Sequence, residues 1–344
     1  MPEKVSFPYW IGVDVSKDSF TAACRSVICM EETIFPPRPK YSMGKKDVKE
    51  FLQWARSVGL GKFEFGIAME STGIYSRRLV DMIHEISPAQ HVTVCNAASV
   101  SWFARGFTEE KNDKADAESI ARYACNKSFR QERQKSKEEK RLQELVRERA
   151  RLVDMRLQLK NRREALECAD AIRLHDSLIR DMDKAIERLE AMITATVRES
   201  EEIKPEVRRM ATMPGVGMLS AACYYGEYGS LKNYTRKEIS ALSGVCPVNK
   251  VSGTSVNRHG MSRRGPALVR KMLFLNSNQA IRAVPSLADF HQRMLEKPDS
   301  SKMTAKCACM RKILLILHAM VVNEKDFDPN YKSEKKGEKM EKSA

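Results

Sequence analysis

The stretch Tyr9-Trp10-Ile11-Gly12-Val13-Asp14-Val15-Ser16-Lys17 decides the fold. Its first seven residues are apolar or β-branched apart from Gly12 and one acid, the composition of a strand covered on both faces. A lone carboxylate in such a strand is costly unless a cation or a partner holds it. Asp14 therefore needs compensation from elsewhere in the chain.

Outward from this strand, residues 9–36 alternate β-rich runs (Tyr9–Val15, Phe20–Val27, Glu32–Phe35) with short polar breaks, predicting a three-stranded meander that Pro36, Pro37 and Pro39 end. Val48, Phe51, Leu52 and Ala55 recur at helical spacing, predicting a helix over Lys45–Val58. Phe63–Glu70 reads as a strand ending in an acid, Ile74–Ile86 as a helix, His91–Cys95 as a short strand, and Asp113–Asn126 as a helix with Ile120, Ala121 and Ala124 facing inward. Three strands, a helix, then strand, helix, strand, helix is the order of an RNase H-like α/β domain, in which the first and fourth strands lie side by side.

That pairing answers for Asp14. It puts Asp14 and Glu70 at comparable ends of neighbouring strands, and Asp113 and Asp116, three apart at a helix start, share one face. Hard oxygen ligands of this kind hold Mg²⁺, and two such ions stabilise both the attacking and the leaving oxygen of a phosphodiester displacement. Each acid also has a plainer reading: Asp113 as a helix N-cap, Asp116 as a first-turn charge, Glu70 as a turn residue beside Ser71-Thr72-Gly73.

At 344 residues the chain is long enough for at least two domains. Sixty Lys and Arg against 45 Asp and Glu give a formal charge of +15, which favours a polyanion, nucleic acid first and an anionic membrane surface second. The nine cysteines include no C-x-x-C pair, as for reduced intracellular thiols. With no signal-peptide pattern and no apolar run of membrane-spanning length, the expectation is a soluble cytoplasmic protein.

From Gln131 to Ile203 there is neither Pro nor Gly. Leu145, Leu152, Leu159 and Leu166 repeat every seven residues, as do Ile172, Ile179, Ile186 and Ile193, predicting two long helices packed as a coiled coil. Arg147, Arg149, Arg151, Arg156, Arg162 and Arg163 offer a basic RNA or DNA surface there, or a solvated helix face. Beyond Pro205 the chain reads as α-rich, with helical periodicity in Ile281–Lys297 and Met303–Asn323. Asp328–Ala344 is a charged tail without apolar content, expected to be disordered.

Two stretches of this last part bear on chemistry. Met213-Pro214-Gly215-Val216-Gly217 is a glycine turn opening onto a helix, as in helix-hairpin-helix modules whose backbone N–H groups meet phosphate. Gly244–Gly253 leads through Ser255 into Arg258-His259-Gly260-Met261-Ser262-Arg263-Arg264-Gly265, a glycine-rich basic loop, and Arg270 and Lys271 follow on a helix. Small residues and arginines suit a polyanion, and a serine there becomes a nucleophile if a base or metal activates it. By chemistry alone Ser252, Ser255 and Ser262 are indistinguishable, and an unreactive surface loop fits the same residues; His259 is a proton-transfer candidate or a phosphate contact.

Taken in order, Ile11–Lys17, Met69–Gly73, Lys111–Ala117, Met213–Gly217 and Gly244–Gly253 resemble the motifs of the DEDD insertion-sequence transposases, the family numbered one hundred and ten, which includes Piv-like DNA invertases. The likeness covers roughly residues 9 to 282. It implies a RuvC-like catalytic domain over 1–130, a coiled-coil linker over 131–204, a serine-bearing transposase domain over 205–326 and a tail over 327–344. It further implies Mg²⁺-dependent exchange of donor and target DNA strands, guided by a structured bridge RNA, on a homodimer or homotetramer whose active sites combine domains of different subunits. Asp14, Glu70, Asp113 and Asp116 match the acidic tetrad and Ser252 the nucleophile that precedes a glycine. Lys17, Lys111, Gly215, Gly217, Lys250, Arg258, Arg263, Arg264, Arg270 and Lys271 are the expected nucleic-acid contacts. Val251 stands where relatives often carry a polar or small residue. Two other functions use the same features: a junction-resolving nuclease with water as nucleophile, and a non-catalytic RNA or DNA scaffold.

Overall fold

The computed structural model describes residues 4–5, 7–27, 33–58, 64–105, 112–127, 129–130, 135–252, 256–262, 265–297 and 300–330, with backbone alone for 4–5, 130, 247–252 and 256–260. The chain divides into two compact units, Met1–Gln134 and Lys135–Ala344. Among the described residues no helix is long and apolar enough to cross a membrane.

In the first unit β1 (Lys4–Val5) precedes β2 (Tyr9–Val15), β3 (Ser19–Ser26), β4 (Thr33–Ile34) and β5 (Tyr41–Ser42). Then come α1 (Lys45–Val58), β6 (Phe65–Glu70), α2 (Ile74–Ile86), β7 (Val92–Cys95), α3 (Ala97–Ala104), α4 (Asp113–Cys125) and β8 (Phe129–Arg130). The sheet runs β4-β3-β2-β6-β7, with β5 also on β3 and a separate β1–β8 pair. β2 is antiparallel to β3 and parallel to β6, which is parallel to β7. The predicted first and fourth strands are thus neighbours. Two cores explain the apolar run of β2. Ile11, Val13 and Val15 pack with Phe51 and Leu52 of α1 and Leu79 and Ile83 of α2. On the opposite face Trp10, fully buried, shares a cluster with Ala68, Cys95, Val100 of α3, and Ile120 and Ala124 of α4.

The second unit opens with a helical hairpin, α5 (Lys137–Glu164) and α6 (Ala169–Glu199). A capping box, Ser136 with Glu139, starts α5. The two helices pack against each other, and three ion pairs repeat with one stride: Arg149–Glu190 at 2.7 Å, Arg156–Asp183 at 2.5 Å and Arg163–Asp176 at 2.9 Å. Each step climbs seven residues on α5 and descends seven on α6, the signature of an antiparallel pair in fixed register. Arg147 binds Glu227 through two bonds of 2.6 and 2.8 Å, and Arg151 pairs with Glu148 at 3.2 Å. Five of the six arginines thus have a carboxylate partner within the fold, which sequence position alone did not reveal.

The unit continues with α7 (Ile203–Ala211), α8 (Met218–Tyr228), α9 (Arg236–Leu242), β9 (Pro247–Ser252), β10 (Val256–Met261), α10 (Ala267–Ala283), α11 (Pro285–Leu295) and α12 (Lys302–Val322). Leu142 and Val146 of α5 and Ile193 and Val197 of α6 join the core that α7, α8, α10 and α12 build around Tyr224, Leu273 and Leu317. The stretch read as a glycine-rich loop is an antiparallel ribbon over most of its length. β9 and β10 pair from Pro247↔Met261 to Ser252↔Val256. Val248, Val251 and Val256 favour extended backbone, and their pairing outweighs the scattered glycines. The expected disordered tail lies outside the described residues from 331 onward.

Candidate active site

Gly12 is the hinge of the arrangement. A Cβ on it would sit 2.2 Å from the Ala117 carbonyl oxygen and 2.3 Å from the Ala121 nitrogen, so α4 rests directly on the backbone of β2. Ala117 and Ala121, four apart and both fully buried, give α4 the matching small face. Asp113 stands one turn before Ala117, and Asp116 immediately precedes it. Two residues along β2 from Gly12, on the same side of the pleat, stands Asp14. The contact that glycine permits therefore lays the first turn of α4 against Asp14.

Further bonds hold that turn in place. Thr21, paired with Asp14 across the sheet, donates from Oγ1 to the Asp113 carbonyl oxygen at 2.9 Å. Arg25, buried on the same face of β3, donates from Nη1 to Glu118 Oε1 at 2.9 Å, and Arg122 reaches that oxygen from one turn further at 2.8 Å. These partners hold the Glu118 carboxyl below its ordinary range against the opposing effect of burial, which is the largest influence on it. Asn112 caps α4 by accepting the Ala115 N–H at 2.8 Å. The cap reading of Asp113 thus gives way: its neighbour does that work, and the Asp113 carboxylate points out to Lys40 Nζ at 3.0 Å.

Glu70 is level with Asp14. The last parallel pair is Val13↔Met69, and Glu70 is the next residue of β6. Burial, then the charges of Asp116, Asp113 and Glu70 in that order, push the Asp14 carboxyl from 3.8 to about 6, against a lowering bond from the Val15 backbone. Glu70 is raised by burial and by Asp116. Four carboxyl groups, drawn from two strand ends and one helix turn, repel one another in a single patch.

A hard divalent cation suits that donor set. Among the described residues no three or more acidic, histidine or cysteine side chains are gathered into a ready cage. Magnesium does not require one, because it keeps several waters and is bound through one or two carboxylates together with substrate phosphate. The residues fit the ion on two grounds: all four supply oxygen, and a cation would offset both the burial and the repulsion by Asp116, Asp113 and Glu70 that raise Asp14.

The other expected residues are dispersed. Lys17 is exposed just past the end of β2. Lys111, Arg263, Arg264 and Ser255 lie outside the described residues. In the second unit Ser252 is the last residue of β9, opposite Val256, Lys250 is opposite Arg258, and His259 is opposite Asn249. Ser262 closes the ribbon through its backbone N–H to the Cys246 carbonyl at 3.0 Å. Gly215 has φ +87° and packs against the Ala280 nitrogen, where a Cβ would come within 2.7 Å, while Gly217 begins α8 with open space before it. A cleft of about 660 Å³ runs along this turn between Pro214, Val216, Asn276 and Gln279. Arg270 donates to the Gly265 carbonyl, and Lys271 is paired with Asp154 of α5. The sequence reading did not single out Gly12, Thr21, Arg25 or Lys40. Gly12 carried a usable signal, since an interior strand glycine marks a close backbone approach.

A transposase family model of the DEDD IS110 type matches residues 11–169, and a second, described as transposase of the IS116/IS110/IS902 family, matches residues 207–292. The chain belongs to the IS110 family of transposases. The first IS110 match includes all four acids and the Gly12 contact; the second includes the glycine turn and the whole β9–β10 ribbon. Among relatives, the chain is 23% identical over 323 residues to the pilin gene-inverting protein of Moraxella bovis, covering 93% of this chain and 97% of that one. It is 26% identical over 212 residues to the transposase for insertion sequence element IS1111A of Coxiella burnetii, covering 52% of this chain and 57% of that one.

Proposed function

We propose that this transposase is a Mg²⁺-dependent recombinase that cuts and rejoins donor and target DNA through a phosphoserine intermediate on Ser252, guided by a structured bridge RNA and working as a homodimer or homotetramer. The first unit is read as RNase H-like, the hairpin as a coiled coil, and the working divisions as 1–130, 131–204 and 205–326. The observation that carries the reading is the contact of Gly12 with Ala117 and Ala121, which brings the first turn of α4, with Asp113 and Asp116, against Asp14, with Glu70 on the adjoining strand.

Asp14, Glu70, Asp113 and Asp116 hold the ion. Bound there, magnesium neutralises phosphate oxygens in a reaction that needs positioning and charge compensation more than acid–base power. Asp14 is ionised at neutral pH at the expense of repulsion from its neighbours, so it gains most from a cation. Ser252, at the end of a ribbon whose register is fixed by six residue pairs, is the nucleophile. Its Oγ loses its proton and forms a bond to phosphorus while one P–O bond to deoxyribose breaks; the departing oxygen takes up a proton and remains as a hydroxyl end. Attack by a hydroxyl end of the exchanged strand restores the diester and frees the serine. The number of phosphoester bonds is unchanged throughout, so no high-energy cofactor is consumed. Lys17, Lys111, Lys250, Arg258, Arg263 and Arg264, with the backbone at Gly215 and Gly217, serve the phosphate backbone.

The test is a comparison of Ser252→Ala with Ser255→Ala. Loss of covalent protein–DNA adducts in the first variant alone supports the assignment. Loss in the second alone moves the nucleophile, and undiminished strand cleavage in Ser252→Ala with Asp14→Asn inactive replaces the recombinase by a water-using nuclease.

A further inference from the structure

The β9–β10 ribbon that carries Ser252 stands on the C-terminal end of α9, and both of its feet are fastened there. The outgoing foot is Cys246, just after α9 and one residue before β9 begins. Its thiol donates to the Ser240 carbonyl oxygen at 3.0 Å and meets the Ser240 hydroxyl at 3.1 Å. Ser240 is 2% exposed, and its Oγ also accepts from Nε of Arg311 on α12 at 2.7 Å. With that lone pair taken by the guanidinium, the serine hydrogen is left for the sulfur, so thiol and hydroxyl protons are both used. Ser243, fully buried, donates to the same Ser240 carbonyl at 2.7 Å.

The returning foot reaches the same place. The Ser262 N–H donates to the Cys246 carbonyl oxygen at 3.0 Å, and Met261 packs against the core of the unit. Gly265 then lies so close to the end of α9 that a Cβ on it would collide with the Leu242 carbonyl oxygen and the Ser243 backbone. Arg270 fixes that glycine through its carbonyl. From Cys246 to Ser252 an extended strand covers roughly 20 Å, so a tilt of about 5° at the foot shifts the far end by roughly 2 Å. Misplacing a reacting group by about 1 Å costs about 100-fold in rate. Hydrogen bonds are directional where apolar packing is not, so this polar foot is suited to fix an angle.

We propose that Arg311, Ser240 and Cys246 are positioning residues for the recombination reaction: through the foot of the ribbon they set its angle and so place Ser252 for attack. The proposal rests on the recombinase reading for the role of Ser252. Each of the three acts through the ribbon backbone, and none is assigned a contact with DNA. Arg311 is itself exposed, yet its Nε is directed at Ser240, which ties the foot to α12 as well as to α9.

The test uses the full chain under conditions in which the wild type forms covalent adducts with donor DNA, and reads DNA affinity and the adduct rate at saturating DNA separately. Ser240→Ala and Cys246→Ala are expected to slow adduct formation by about 10- to 100-fold at unchanged affinity. Cys246→Ser keeps a donor for the Ser240 carbonyl and is expected to restore most of the rate. Arg311→Ala, a change at an exposed position that guards against a folding defect, is expected to show the same split. Tryptic cleavage of the native protein after Lys250 and Arg258, without DNA, reports the foot independently of any chemistry. It should quicken in Ser240→Ala and Cys246→Ala and keep the wild-type rate in Cys246→Ser and Ser252→Ala. Wild-type adduct rates in Ser240→Ala and Arg311→Ala, or a loss of rate that merely follows loss of affinity or of folded protein, overturns the positioning role. If Ser252→Ala still forms adducts while ribbon cleavage follows the foot variants, the Ser252 assignment fails and the anchor stands. If Ser252→Ala forms none and the foot variants match wild type in both assays, the positioning role alone fails.

Discussion

Replacing Asp14 by Asn should stabilise the first unit at neutral pH. The carboxyl is pushed from 3.8 to about 6, first by burial and then by Asp116, Asp113 and Glu70. At about 1.4 kcal/mol per pH unit, full burial would make the ionised group cost about 3 kcal/mol. Asp14 keeps part of its solvent contact, and screening reduces the figure to about 1–2 kcal/mol. The sign follows from linkage: a group that binds its proton more tightly in the fold contributes stability below about pH 4, and that contribution is lost as the pH rises to about 6. Asparagine keeps an acceptor for the Val15 backbone and carries no charge, so the variant gains at pH 7.5 and gains nothing at pH 4. All three tryptophans, Trp10, Trp54 and Trp102, belong to the first unit, so urea unfolding followed by tryptophan fluorescence reads this unit selectively. Added magnesium should stabilise the wild type, by about 1.4 kcal/mol at ten times its dissociation constant, and the variant much less. A variant that is less stable than wild type at pH 7.5, or equally shifted at both pH values, refutes the clustering of charge on which the site depends.

Other consequences are as direct. Magnesium affinity, followed by titration calorimetry, should fall as the pH drops through about 6, because Asp14 takes up a proton there. Gly12→Ala must push α4 off β2, since both atoms it would strike are backbone; a loss of about 3 kcal/mol or more, or failure of the first unit to fold, is expected in the same fluorescence assay. Arg156→Glu should lower hairpin stability by about 1 kcal/mol, and adding Asp183→Arg should restore most of it, measured by circular dichroism at low salt. DNA affinity should fall steeply with added salt, and the slope should be unaffected by Lys271→Ala, whose ammonium is already paired with Asp154.

The first unit was largely legible because its signals are local. α1 and α2 fall on the limits that periodicity gives, and β2 and β6 are adjacent as the element order requires. α3 went unread because Ala97–Ala104 is short and too uniformly apolar to display a helical face. The four acids could be picked out as residues, but their common location depends on a glycine meeting two alanines more than a hundred positions away, a contact with no periodic trace. The arginines of the hairpin illustrate the opposite limit. Their charge was plain, while their partners lie on the returning helix at separations of 13 to 41 residues, so that what reads as free positive charge is already neutralised. The ribbon was concealed because its three valines, Val248, Val251 and Val256, are too widely spaced among glycine, serine and polar residues to make a period-two pattern.

The seven-residue stride of the hairpin's ion pairs also restricts how this protein can change in length. Deleting three or four residues from one arm alone would slide every rung beyond the cut by about one helical turn and rotate it by roughly 40–60°, so that the arginines and their carboxylates would no longer meet. Removing one whole heptad from each arm would leave the remaining rungs and both apolar seams in step. Viable homologues should therefore differ in hairpin size by matched multiples of seven, like a telescope that locks only at marked extensions.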